Sequence, residues 1–174
     1  MRAGSLLALA AEDSIMRRGA EARFFGSFVN KIDAKGRLAT PATFRRAIDL
    51  ERDATIYCIP SSSEPCIECG GIEYIDHLTR MIDQLDPYSD QRTNLERAMA
   101  SQMTPLSVDR EGRIILPDGL IEHAFLDGRA LFAGHIRSFQ IWNPDNFEGV
   151  LKDARKVAAE AKQTLRNPVV ASVG

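Results

Sequence analysis

Asp33-Ala34-Lys35-Gly36-Arg37-Leu38-Ala39-Thr40-Pro41 is the stretch whose reading decides the fold, because it returns. Seventy-six residues later stands Asp109-Arg110-Glu111-Gly112-Arg113-Ile114-Ile115-Leu116-Pro117. Both read D-x-x-G-R, an apolar residue, two variable positions and Pro. A motif repeated at a fixed offset implies one structural unit made twice. Its parts have physical meanings. Asp accepts hydrogen bonds from its own downstream backbone, and Gly supplies a backbone angle other residues avoid. Strand-like residues flank the turn, Phe28-Val29-Asn30-Lys31-Ile32 before it and Leu38-Ala39-Thr40 after it. The reading is a hairpin tip with Lys35 and Arg37 beside the turn. Pro41 ends the second strand and suits the first turn of a helix, with Thr40 as its N-cap.

Working outward, the 174 residues can hold one large or two small domains. Hydrophobic content of 44% and charged content of 26% are globular values. No apolar run has the length of a membrane helix. The net charge of −2 conceals a pattern. Residues 17–52 carry nine Lys/Arg against four acids, and residues 53–101 carry three against nine. A basic first unit attracts phosphate backbones. Leu6-Leu7-Ala8-Leu9-Ala10-Ala11 is short for a secretory signal, so residues 1–23 read as a disordered or extraneous extension, with Met16 an alternative start.

Periodicity orders the rest. Phe44 and Ile48 share a helical face, with Arg45 and Arg46 directed elsewhere. Strands follow at 55–59 and 66–68. Ile72, Ile75, Leu78, Ile82 and Leu85 form an apolar helical stripe that reads as core. Asp86-Pro87 stops that helix, and Ser89 or Asp90 caps another in which Leu95 and Met99 face inward. After the second nine-mer come a short helix marked by Leu120, Ile121 and Ala124, a strand at 130–133 and a closing strand at 139–142. Asn143-Pro144 opens a long amphipathic helix with Phe147, Val150, Leu151, Ala154, Val157, Ala158, Ala161 and Leu165 on one face. Asn167-Pro168 ends it.

Cys58, Cys66, Cys69 and His77 raise a second possibility. Cys66 and Cys69 have C-x-x-C spacing, and four soft ligands suit zinc on count alone, which would make a zinc-dependent enzyme. No second C-x-x-C and no H-x-x-x-H accompany them. Cys58 lies in an apolar run and reads as a small core residue. Three cysteines give no disulfide framework.

The whole pattern resembles a family. N-K-I-D-A-K-G-R-L-A-T-P, an apolar strand, two connecting helices, D-R-E-G-R-I-I-L-P and the terminal F-Q-I-W-N are similar to the MraZ regulators, over residues 24–165. The resemblance implies an α+β fold of two tandem swapped-hairpin units of the SpoVT-AbrB class, forming an intrachain pseudo-dimer with connecting helices and a C-terminal helix. It divides the chain into a first unit at 24–71, a helical connector at 72–102, a second unit at 103–146 and a C-terminal helix and tail at 147–174. It further implies a cytoplasmic, nucleoid-associated transcriptional regulator, usually a repressor of the division and cell-wall gene cluster. Such regulators bind repeats in double-stranded promoter DNA as homo-oligomeric rings. Neither catalysis, a cofactor nor a small-molecule substrate belongs to the pattern.

Lys35, Arg37 and Arg113 match the basic turn residues of that family. Lys31 and Arg110 stand within reach, and Arg45 and Arg46 complete the DNA-binding candidates. Glu111 replaces Lys35 in the second copy, so the second unit is expected to bind DNA less well. Two alternatives remain open from the residues themselves. Arg37 could brace the turn by pairing with Asp33 or Glu51, and the chain could be an antitoxin-like interaction module.

Overall fold

The computed structural model describes residues 23–48, 55–162 and 165. The readings of residues 1–22, of the turn at 53–54, of Glu51 as a partner and of the Asn167-Pro168 stop lie outside them. The architecture is α+β, with antiparallel strands and, among the described residues, five helices. In order they are β1 (Ser27–Lys31), β2 (Arg37–Ala39), α1 (Ala42–Ala47), β3 (Thr55–Pro60), β4 (Cys66–Gly70), α2 (Ile72–Ile82), α3 (Asp90–Ala100), β5 (Thr104–Ser107), β6 (Arg113–Ile115), α4 (Asp118–His123), β7 (Arg129–His135), β8 (Ser138–Trp142) and the C-terminal helix α5 (Pro144–Ala161).

Six strands form one sheet in the order β1-β7-β8-β4-β3-β5, and β2 and β6 form a separate two-stranded ribbon. The strands beside each turn are therefore not mainly each other's partners. β1 pairs with β7, placing Phe28 opposite Phe132 and Lys31 opposite Arg129. β5 pairs with β3, placing Leu106 opposite Ile56. Within the first nine-mer's hairpin, pairing is reduced to a bridge of Ile32 with Leu38. The simple hairpin expected from the turn is thus corrected to pairing between the copies. Burial supplies the reason. Leu38 and Ile114 sit opposite each other in the ribbon and are both fully buried. Joining β2 to β6 puts both apolar residues into one core. A domain of about 60 residues alone buries only about 60% of its unfolded surface and is marginal, and each unit here is smaller still.

That core is centred on Phe44 of α1. Its ring meets Phe24, Phe28, Phe132 and Phe139 at centroid distances of 5.3, 5.5, 6.1 and 5.1 Å. Edge and tilted contacts of this kind add to the area they bury. Leu120 of α4 is the counterpart of Phe44 at the same offset and is likewise buried. On the opposite face of the sheet Cys66, Ala133 and Trp142 form a smaller cluster, covered by Phe147 and Val150 of α5.

Helix starts follow the side chains that cap them. Asn143 accepts from the Asp145 amide at 2.9 Å while its own Nδ2 donates to the Phe125 carbonyl at 2.6 Å. Ser89 accepts from the Arg92 amide at 3.2 Å. Thr40 does not cap α1. Its amide donates to the Gly112 carbonyl at 2.9 Å, which commits Thr40 to the ribbon, and Pro41 becomes the N-cap position with no side-chain cap.

The helical stripes are less covered than their periodicity suggests. Along α2 and the turn after it, Ile75, Leu78, Ile82 and Leu85 are half-buried and Ile72 is exposed. Leu95 of α3 is exposed rather than inward, with Met99 half-buried. In α5, Phe147, Val150 and Leu151 pack, but Ala154, Val157, Ala158 and Ala161 face solvent, as does Leu165 beyond the helix. No residue of α2, α3 or α5 is buried.

Candidate nucleic-acid interface

The two nine-mers build the same turn, bond for bond. In the first, Asp33 Oδ1 accepts from the amides of Lys35 and Arg37 at 2.9 and 3.0 Å, and Gly36 N donates to the Asp33 carbonyl at 3.0 Å. In the second, Asp109 Oδ1 accepts from the amides of Glu111 and Arg113 at 2.9 and 2.8 Å, and Gly112 N donates to the Asp109 carbonyl at 2.9 Å. Gly36 and Gly112 hold φ of +73° and +78°, the left-handed region in which a Cβ is strained. Each turn is tied to the opposite strand of the ribbon. Leu116 N donates to the Gly36 carbonyl and Thr40 N to that of Gly112, both at 2.9 Å. One turn therefore stands at each end of the ribbon.

Alternation along a strand sorts the ribbon's side chains. Leu38 and Ile114 point into the core. Arg37 and Ala39 of β2, with Arg113 and Ile115 of β6, form the outer face. Arg37 lies opposite Ile115, and Arg113 opposite Ala39.

The second oxygen of each Asp takes up its arginine. Arg37 Nε donates to Asp33 Oδ2 at 2.6 Å, and Arg113 Nε to Asp109 Oδ2 at 2.9 Å. The bracing role weighed for Arg37 is thus present in the structure, with Asp33 as the partner. The Arg37 amide and guanidinium hold the Asp33 carboxyl down to about 2, and Arg113 lowers that of Asp109 in the same way. Both acids stay charged at any neutral pH. The copies then diverge. Arg113 also donates from Nη1 to Glu111 Oε2 at 2.5 Å, and its side chain is 31% exposed against 39% for Arg37. The second arginine is shared between two carboxylates, whereas Lys35 beside the first arginine is exposed and positive.

The remaining candidates occupy different settings. Lys31, Arg46 and Arg110 are exposed. Lys31 ends β1 opposite Arg129, a neighbour that sequence distance conceals, and Arg129 reaches Asp145 at 3.3 Å. Arg45 is half-buried and donates from Nη1 to the Thr40 carbonyl at 2.9 Å. Its guanidinium also occupies the space that a Cβ on Gly112 would need, so the first unit's Arg45 lies against the second unit's turn. Ile121, which stands at the same offset in the second unit, lies near Gly36 instead. Arg45 brings a cation to the turn that carries Glu111. The sequence signal for this was the repeat offset itself, which aligns Arg45 with Ile121.

The cysteines do not assemble a metal centre. Cys66 and Cys69 fall on opposite faces of β4, Cys66 with Trp142 and Cys69 in the main core beside Cys58, with an Sγ–Sγ distance of 3.3 Å. His77 lines an open groove with Glu68, Tyr74 and His135. Burial pushes the Cys66 thiol up to about 12 and raises that of Cys69, which disfavours the thiolate that zinc needs. The described residues hold no cluster of three or more metal-ligating side chains. Nor is any described helix long and apolar enough to cross a membrane.

A family model described as "MraZ protein, putative antitoxin-like" matches residues 99–167, a span that contains β5, the second turn and α5. Three similar curated relatives are each named transcriptional regulator MraZ. The chain is 41% identical to that of Rickettsia felis and 42% to that of Rickettsia rickettsii, each over 144 residues that cover 83% of this chain and 97% of the relative. It is 41% identical to that of Rickettsia bellii over 145 residues, with the same coverage. The chain belongs to the MraZ family. The alignment to whole MraZ relatives takes in both nine-mers, so the turn pair is part of what is shared in extent with proteins named as regulators.

Proposed function

We propose that this MraZ-family chain regulates transcription by binding double-stranded promoter DNA through its two basic turns. One observation carries the reading: a two-stranded ribbon is bracketed at both ends by the same Asp-braced arginine turn, and its outward face bears both arginines. The major groove of B-DNA admits a two-stranded ribbon. Lys35 at an exposed turn adds phosphate affinity, and an arginine can grip guanine O6 and N7, worth about 1–3 kcal/mol of discrimination. Asp33 serves that role by fixing Arg37 before DNA arrives, which lowers the ordering cost of binding. Lys31, Arg46 and Arg110 supply outlying phosphate contacts, and Arg45 steadies the second turn.

The two units, 24–71 and 103–146, act as a swapped-hairpin pseudo-dimer of the SpoVT-AbrB kind. The strand order β1-β7-β8-β4-β3-β5 supports this, because exchanging the units reverses it onto itself. The helices of the 72–102 connector, α2 and α3, and the C-terminal helix α5 lie outside that pair. The uncovered apolar positions on α2, α3 and α5 support a homo-oligomer, and a ring would repeat the turns along repeated DNA sites and gain affinity by multivalency. Family resemblance makes the target the promoter of the division and cell-wall gene cluster, with repression as the outcome in a nucleoid-associated cytoplasmic protein. The test is a promoter-fragment shift assay with Arg37→Ala. Weaker binding is expected, with no greater fall in melting temperature than Asp33→Asn shows, since that variant loses the same brace but keeps the arginine. Unchanged affinity together with an unchanged salt slope would remove the assignment.

A further inference from the structure

Given the DNA-binding reading above, we propose that Ile115 is a specificity-determining residue that packs against the 5-methyl group of a thymine in the major groove. The ribbon's inner residues, Leu38 and Ile114, are fully buried, yet the next residue, Ile115, is 60% exposed on the outer face. It is the large apolar residue of that face and lies directly opposite Arg37. Its Cγ2 is 3.8 Å from the position a Cβ on Gly36 would take, so the side chain leans on the first turn. The turn and the ladder thus hold it in place before DNA binds.

A strand favours isoleucine on general grounds, and single exposed apolar residues are common. The position is what distinguishes this one. Its counterpart under exchange of the units is Ala39, beside Arg113, whose short side chain cannot reach as far. The ribbon consequently offers an arginine at both ends but a large apolar group only at the end of the first turn. Thymine alone displays a methyl group in the major groove. An exposed isoleucine seated there loses water against that methyl, whereas a cytosine or guanine edge would strip water from a polar group without replacing it. Directly opposed side chains in a ladder stand about 4.5–5.5 Å apart. Successive bases rise about 3.4 Å. The methyl therefore belongs within about two base pairs of the guanine that Arg37 contacts.

The experiment uses the full-length protein and a synthetic duplex enriched by it from a random-sequence library. Each thymine is replaced in turn by deoxyuridine, which removes only the methyl. The expected result is one position, near the guanine whose 7-deaza replacement also weakens binding, where the change costs about fourfold in affinity. In Ile115→Ala that dT/dU ratio falls to one. Ile115→Val, which keeps a β-branched residue in the strand, reduces the ratio and serves if the alanine variant unfolds. A wild-type protein indifferent to every methyl overturns the proposal while leaving DNA binding intact, as does a ratio unchanged in both variants. Failure to enrich any duplex overturns the DNA-binding reading, and the role of Ile115 with it.

Discussion

Arg37 meets two demands at once: its Nε holds Asp33, and the rest of its guanidinium lies on a partly exposed face. Asp33→Asn therefore separates bracing from binding, since the arginine stays while its anchor weakens. The Asp33 carboxyl is held at about 2, below its ordinary 3.8. A depressed acid contributes stability that is fully present above the unfolded value and lost as pH falls through the folded one. Wild type should thus out-melt Asp33→Asn at pH 7, and the gap should narrow between pH 4 and 2; equal melting temperatures at pH 7 would deny the brace. Lys35→Ala should lower the slope of log affinity against log salt by about 1 without altering sequence preference, as expected for one lost phosphate contact. Gly36→Ala is a third test. Its Cβ would stand 2.8 Å from the Leu116 carbonyl oxygen at a φ of +73°, so the variant should lose more than about 1 kcal/mol in a denaturant titration.

The elements depend on what the two copies share. Phe44 fills the centre of the core from a helix of only six residues, which cannot persist without that packing. Phe44→Ala should cost about 3–5 kcal/mol, read as a fall in denaturation midpoint. Most element positions were legible in the sequence, because alternation along 55–59 and 139–142 and the Asn143-Pro144 start act locally. Strand partners were not. Nothing near Phe28 or Arg37 in the chain distinguishes pairing within a hairpin from pairing with β7 or β6, since the partners, Phe132 and Ile115, stand far along the chain. Thr40 misled for a related reason: a hydroxyl before Pro resembles an N-cap until the distant Gly112 claims its amide. At the site, Lys35 and Arg37 were visible as turn cations. The placement of Arg45 against Gly112 and of Ile115 on the outer face needed the fold.

At the scale of the molecule, the apolar faces of α2, α3 and α5 are the part that periodicity read too simply. The stripes exist, but the single chain leaves Leu95, Val157 and Leu165 exposed. If copies cover one another there, Val157→Glu should lower the mass seen in light scattering while leaving the secondary-structure spectrum unchanged. The buried thiols give an independent check on the core: Cys58, Cys66 and Cys69 should react with a thiol reagent at the rate of unfolding, not faster.

The central claim is that the first basic turn holds DNA. Titrating wild type and Arg37→Ala against a promoter duplex over a range of salt concentrations tests it most directly. The account predicts about 5- to 150-fold weaker binding for the variant, in line with about 1–3 kcal/mol for a lost base contact, and a melting temperature no lower than that of Asp33→Asn, which loses the same brace but keeps the arginine. Equal affinity at every salt concentration would contradict it.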